Sequence, residues 1–154
     1  MTMTAKHAAS PIGAVKAVAA ADRHRAVATV AMAFASDPMM RWSFPDASRY
    51  FDIARDFIDA FGGHAVEHGG ADEIADFSAV ALWLPPGVSP NGDAMGAIIE
   101  ANMPRERMQD GAGLFEQMNT FHPHEPHWYL PLIGTDPTMQ GRGYGSALLK
   151  HALA

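Results

Sequence analysis

Seven residues near the end of the chain, Gln140-Gly141-Arg142-Gly143-Tyr144-Gly145-Ser146, constrain the fold more than any other segment. Glycine at every second position marks a tight turn, because a residue without Cβ reaches left-handed backbone angles and lets another group come close. The run follows an extended apolar stretch, His127 to Thr135, and a turn, Asp136-Pro137-Thr138-Met139. A helical pattern begins at Ser146. Strand, glycine-rich turn and helix start, in that order, build an anion site. Backbone N–H groups converge without side-chain obstruction, and the helix dipole favours negative charge.

Two common phosphate motifs do not fit. A dinucleotide fingerprint needs Gly-x-Gly-x-x-Gly, with an acidic residue about 20 positions further on. Gly141, Gly143 and Gly145 lack that spacing, and the sequence ends at Ala154. A Walker A loop needs Gly-Lys-Ser/Thr, which is absent.

Length and composition narrow the classes. With 154 residues, 48% hydrophobic and 18% charged, the chain suits one globular domain with a real core. A net charge of −6 argues against nucleic acid as a partner. The absence of cysteine excludes disulfides, thiolate zinc sites and a cysteine nucleophile, and fits a cytoplasmic protein. No window approaches about 18 consecutive apolar residues, so no membrane partner is expected. The first ten residues lack the apolar centre of a signal peptide.

Residues 1–12 read as a flexible leader and 13–154 as one domain. Val15 lies in a short strand, and Asp22 opens a helix to about Ala35. Ser36-Asp37-Pro38 ends that helix, and Met39 to Phe44 is a bulky apolar turn. A second helix starts after Asp46 or Ser48, with Phe51, Ile53, Phe57, Ile58 and Phe61 at helical spacing. Ala79 to Leu84 is a strand stopped by Pro85-Pro86-Gly87. Further helices run from Ser89 or Asn91 to Asn102 and from Pro104 to about Met118. The order implies an α/β or α+β sheet covered by helices.

The segment Gln140-Gly141-Arg142-Gly143-Tyr144-Gly145 resembles the acetyl-CoA motif of the GNAT acetyltransferases, Gln/Arg-x-x-Gly-x-Gly/Ala. The preceding Leu132-Ile133-Gly134-Thr135-Asp136-Pro137 is similar to the family's fourth strand and its proline turn, and Ala147-Leu148-Leu149 to the start of its third helix. Ala33 to Trp42 and Ala81 to Gly87 are similar to segments of one bacterial and fungal subgroup. The resemblance extends from about Val15 to Ala154. It implies a mixed, mostly antiparallel sheet flanked by helices. It also implies transfer of acetyl from acetyl-CoA to a primary amine, on a small molecule or on a protein N-terminus or lysine, by direct attack in a ternary complex. The loop from Gln140 to Ser146, with Arg142, Tyr144 and the three glycines, would hold the pyrophosphate. The backbone of Ile133, Gly134 and Thr135 would orient the pantetheine arm. Pro131, which has no N–H, reads either as a bulge or weakly paired point beside that slot or as an edge-strand proline with no functional part.

His122, His124, Glu125 and His127 form the densest polar cluster. Pro123 and Pro126 hold the chain extended and the spacing is not a zinc spacing, so no metal is expected. A general base is needed instead, because the amine attacks as the neutral form. His127 and Glu125, where the strand enters the cleft, are the candidates. Arg41 and Trp42 resemble the subgroup's substrate-side segment.

Full GNAT domains continue past the third helix with a fifth strand, a fourth helix and further strands. Here the sequence stops first. Either the chain is a shortened form of a longer acetyltransferase, which is the expectation, or it completes its sheet with a partner. The exposed strand edge would then support a homodimer. A non-catalytic acyl-CoA-binding or strand-exchanged assembly module is the alternative function.

Overall fold

A computed structural model describes residues 12–154. Most of the leader expected at residues 1–12 therefore lies outside the described residues. The chain runs through Val15–Ala17 (β1), Arg23–Ala33 (α1), Pro38–Ser43 (α2), Tyr50–Gly62 (α3), His64–Glu67 (α4), Ala71–Ile74 (β2) and Ala79–Leu84 (β3). Gly92–Asn102 (α5), Met108–Thr120 (α6), Tyr129–Thr135 (β4) and Tyr144–Ala152 (α7) follow. The strands lie in the order β1-β2-β3-β4, and each described pairing is antiparallel. The expected helix-flanked, mostly antiparallel sheet is the one observed.

β3 explains the layering. Its sequence, Ala-Val-Ala-Leu-Trp-Leu, is apolar throughout because both of its faces are covered. Val80, Leu82 and Leu84 face a large core with Val30 of α1 and Ile53, Phe57 and Ile58 of α3. Ala79 and Ala81 face a smaller core with Ile74 and Leu148 of α7.

Three boundaries differ from the sequence reading. Met39 to Phe44, expected as a turn, is mostly the short helix α2. Asp37 Oδ1 accepts the Met40 N–H at 2.9 Å, and Pro38 occupies the first turn, where its missing N–H costs nothing. α6 starts at Met108 because Arg105–Arg107 form a tighter 3₁₀ turn. α7 begins at Tyr144, inside the glycine run.

The β2–β3 hairpin turns through Ala75, Asp76 and Phe77 with φ of 55°, 53° and 64°. These left-handed angles are costly for residues with a Cβ. Neighbours hold them in place: Glu73 Oε2 accepts the Phe77 N–H at 2.9 Å, Thr29 Oγ1 donates to the Phe77 carbonyl at 2.8 Å, and Arg25 reaches Asp76 at 2.7 Å.

β4 carries an irregularity that positions the site. Leu82 of β3 opposes Leu132, whereas Leu84 opposes Tyr129. Two steps on β3 therefore match three on β4, which is a β-bulge around Leu130 and Pro131. Proline has no N–H for the ladder, so the extra residue falls where pairing is already broken. The bulge resets the alternation of faces. Tyr129 and Leu132 both meet the α1–α3 core, while Leu130 and Ile133 meet the α7 side.

Candidate functional site

The turn after β4 is built by Asp136. Its Oδ1 accepts both the Thr138 N–H and the Thr138 hydroxyl, each at 2.8 Å. Those bonds, the hydroxyl's first, hold the Asp136 carboxyl below the usual carboxylate range. The Asp136 N–H donates to the Ser78 carbonyl at 2.9 Å and ties the turn to the neck of β3.

Beyond this turn, Gly141 and Gly143 take φ of 75° and 83°. Gly143 is the N-cap of α7, and no side chain caps that helix end. The first helical bond there is from the Ala147 N–H to the Gly143 carbonyl, at 3.0 Å. Among the described residues, no backbone N–H from Gln140 to Ser146 donates to a protein acceptor, while the Gln140 side chain reaches the Thr135 carbonyl at 3.5 Å. A Cβ built on Gly141 would meet nothing within 4 Å. The glycine is thus set by the backbone, and the space above it is open. A run of convergent, unpaired N–H groups at a helix start is an anion nest, and its donor chemistry fits the pyrophosphate of acetyl-CoA. Gln140, Arg142 and Ser146 are exposed around it, while Tyr144 is half-buried against α7's core.

Ile133, Gly134 and Thr135 lie on β4, just before the nest. Gly134 has a second constraint. A Cβ there would come within 2.7 Å of the Ala33 Cβ and 3.4 Å of the Val30 Cα, so its glycine lets α1 lie against β4.

Two cavities meet the start of β4. One, of about 180 Å³, is walled by Phe34, Met40, Phe44, Phe57, Met103 and Leu132. The other is a wider cleft of about 800 Å³ that holds His122, Glu125, His127 and Tyr129. Phe61, Phe115 and Met118 line both, so only side chains of α3 and α6 separate them.

His127 and Glu125 come together, though through the main chain. His127 Nδ1 lies 2.7 Å from the Glu125 carbonyl. A carbonyl only accepts, so Nδ1 carries a proton and Nε2 is the basic nitrogen of the neutral ring. His127 Nε2 faces His122 Nε2 at 3.2 Å, and the His122 ring packs edge-on to Tyr129 with centroids 4.6 Å apart. Sequence reasoning saw both histidines but not their pairing, which depends on how the chain folds back between Pro123 and Pro126. Among the described residues, no three His, Cys, Asp or Glu side chains are grouped to hold a metal ion.

Arg41 and Trp42 lie on α2 but outside the lining of both cavities. Arg41 donates to the Phe44 and Pro45 carbonyls at 3.3 and 3.2 Å and lies 4.5 Å over the Tyr50 ring. The Trp42 carbonyl accepts from Arg107 Nη1 at 2.5 Å, and its ring packs near Gly111 of α6. The neighbouring Asp37, Met39, Met40, Ser43 and Phe44 line the smaller cavity instead. The only advance signal for this was the capping aspartate before Pro38.

The profile of the Acetyltransferase (GNAT) family matches residues 54–154. An uncharacterized N-acetyltransferase of Schizosaccharomyces pombe is 26% identical over 153 residues, covering 89% of this chain. The chain spans 61% of that relative's length. A solved structure described as histone acetyltransferase HPA2 and related acetyltransferase from Corynebacterium glutamicum is 27% identical. It superposes with a TM-score of 0.64 over 92% of this chain and 70% of that one.

Proposed function

This chain belongs to the acetyltransferase (GNAT) family, and from that premise we propose that it moves an acetyl group from acetyl-CoA to a primary amine in a ternary complex. The observation that carries the donor reading is the nest itself: unpaired N–H groups from Gln140 to Ser146 at the uncapped start of α7. These groups bind the pyrophosphate, and Arg142 adds a cationic donor from the exposed rim. The backbone of Ile133, Gly134 and Thr135 aligns the pantetheine arm, and an N–H on this strand polarises the thioester carbonyl.

The thioester supplies an activated acyl carbon. The amine nitrogen bonds to that carbon as the C–S bond breaks, and the leaving CoA thiolate takes a proton from water. The amine's own proton goes across water to the paired His127 and His122 rings, and from them to solvent. Glu125, in the same cleft, is the second candidate for that role. With no cysteine in the sequence, no thiol acyl-enzyme forms on the way.

Calorimetry with CoA tests the donor site. A Gly143→Asp variant puts a carboxylate and a Cβ at a position with φ of 83°, and the expected result is loss of measurable CoA binding. Equal affinity in the variant and the parent chain overturns the assignment.

A further inference from the structure

We propose that the acceptor is a compact apolar amine: one ammonium group on a body the size of a single aromatic ring or a branched alkyl group. The smaller cavity carries this inference, which rests on the acetyltransferase reading above. Its volume of about 180 Å³ slightly exceeds that of an engineered apolar cavity of about 150 Å³ that binds benzene. One ring with a short arm fits, and a nucleoside or an aminoglycoside does not. The walls are aromatic and thioether side chains, notably Phe34, Phe57, Phe61, Met103 and Phe115. Such a surface favours burial of an apolar body.

One charge breaks this lining. Among the described residues that line the cavity, Asp37 is the only ionisable one. Its Oδ1 caps α2 through the Met40 N–H at 2.9 Å. Among the described residues, the other oxygen has no hydrogen bond or ion pair. One ammonium is therefore matched, and a second would enter without a partner. Burying an unpaired charge is strongly unfavourable, so polyamines and lysine-rich tails are disfavoured here. Pro131 and Leu132, at the β4 bulge, close the same cavity. An amine held by its apolar body is thereby delivered beside the strand that aligns the thioester.

The test is calorimetry on the full chain with 2-phenylethylamine, its uncharged analogue 2-phenylethanol, and spermidine, alongside a separate titration with CoA. The expected result is at least tenfold tighter binding of 2-phenylethylamine than of spermidine. Asp37→Asn keeps an oxygen for the Met40 N–H. It should weaken 2-phenylethylamine about tenfold and leave 2-phenylethanol unchanged. Phe115→Ala, on the outer helix α6, should shift preference toward a two-ring amine. Spermidine binding as tightly as 2-phenylethylamine, absence of binding by all three, or indifference of 2-phenylethylamine to Asp37→Asn overturns the proposal. CoA binding with those failures leaves the acetyltransferase reading standing. Amine binding as expected without CoA binding would instead remove the donor site and leave the pocket's preference intact.

Discussion

Gly134 and Gly143 sit nine positions apart in the sequence and are glycines for opposite reasons. At Gly134 the obstacle is packing: the nearest atom to an added Cβ would be Ala33 Cβ at 2.7 Å. Gly134→Ala should therefore cost about 1–3 kcal/mol, as overpacking does, read as a lower urea midpoint. At Gly143 the obstacle is the backbone. Gly143→Ala should cost about 1–2 kcal/mol of left-handed strain, and CoA affinity should fall because the nest itself is distorted. Comparing unfolding with CoA titration in the two variants separates the causes. The sequence pattern marked Gly143 as a turn glycine, since alternating glycines before a helix have few other uses. It marked Gly134 only by its place on the strand. The contact with Ala33 depends on how α1 crosses the sheet, and no local pattern encodes that crossing. Arg41 shows the same limit: a cation beside an aromatic does not encode that its guanidinium rests on the Phe44 and Pro45 carbonyls.

At the level of elements, strands and long helices were legible because burial imposes period on them. The stripe of Ile53, Phe57 and Ile58 on α3 packs where its spacing requires. Short elements were less legible, since α2 depends on a cap and a proline rather than on a repeat. The β2–β3 hairpin turns on three successive left-handed residues that are not the usual turn formers glycine and asparagine, so no turn pattern marks them. Ala75→Gly should relieve one of them and raise stability by about 1 kcal/mol, a higher thermal midpoint being the readout. The turn after β4 has a pH signature. Its Asp136 carboxyl is held below the ordinary aspartate range, so the unfolded chain takes up that proton first. The turn's contribution is complete above the ordinary carboxylate pKa and is lost as pH falls through the lowered one. The Thr138 amide shift should titrate with a midpoint below the ordinary aspartate range. Asp136→Ala should abolish that transition and weaken CoA binding.

At the scale of the whole molecule, the two cavities were the least legible feature. The smaller one joins residues from Phe34 to Leu132, contributed by α2, α3, α5, α6 and β4 with the loops beside them. Each of those residues, taken alone, is an ordinary core residue. Ligand linkage gives a global check. CoA at about 100 times its dissociation constant should stabilise the fold by about 2.7 kcal/mol if it binds only the native state. That rise in thermal midpoint should vanish in Gly143→Asp.

The extra residue in β4 also works as a change of reading frame. N-terminal to it, the strand presents odd-numbered Tyr129 to the α1–α3 core; C-terminal to it, the even-numbered Leu132 takes that place. One inserted position thus lets a single strand serve the histidine cleft at one end and the glycine nest at the other, in two different phases. Removing Pro131 would leave every remaining side chain chemically intact. It would transpose the faces of one half of the strand relative to the other, and the histidine cleft and the glycine nest would be addressed to opposite sides of the sheet.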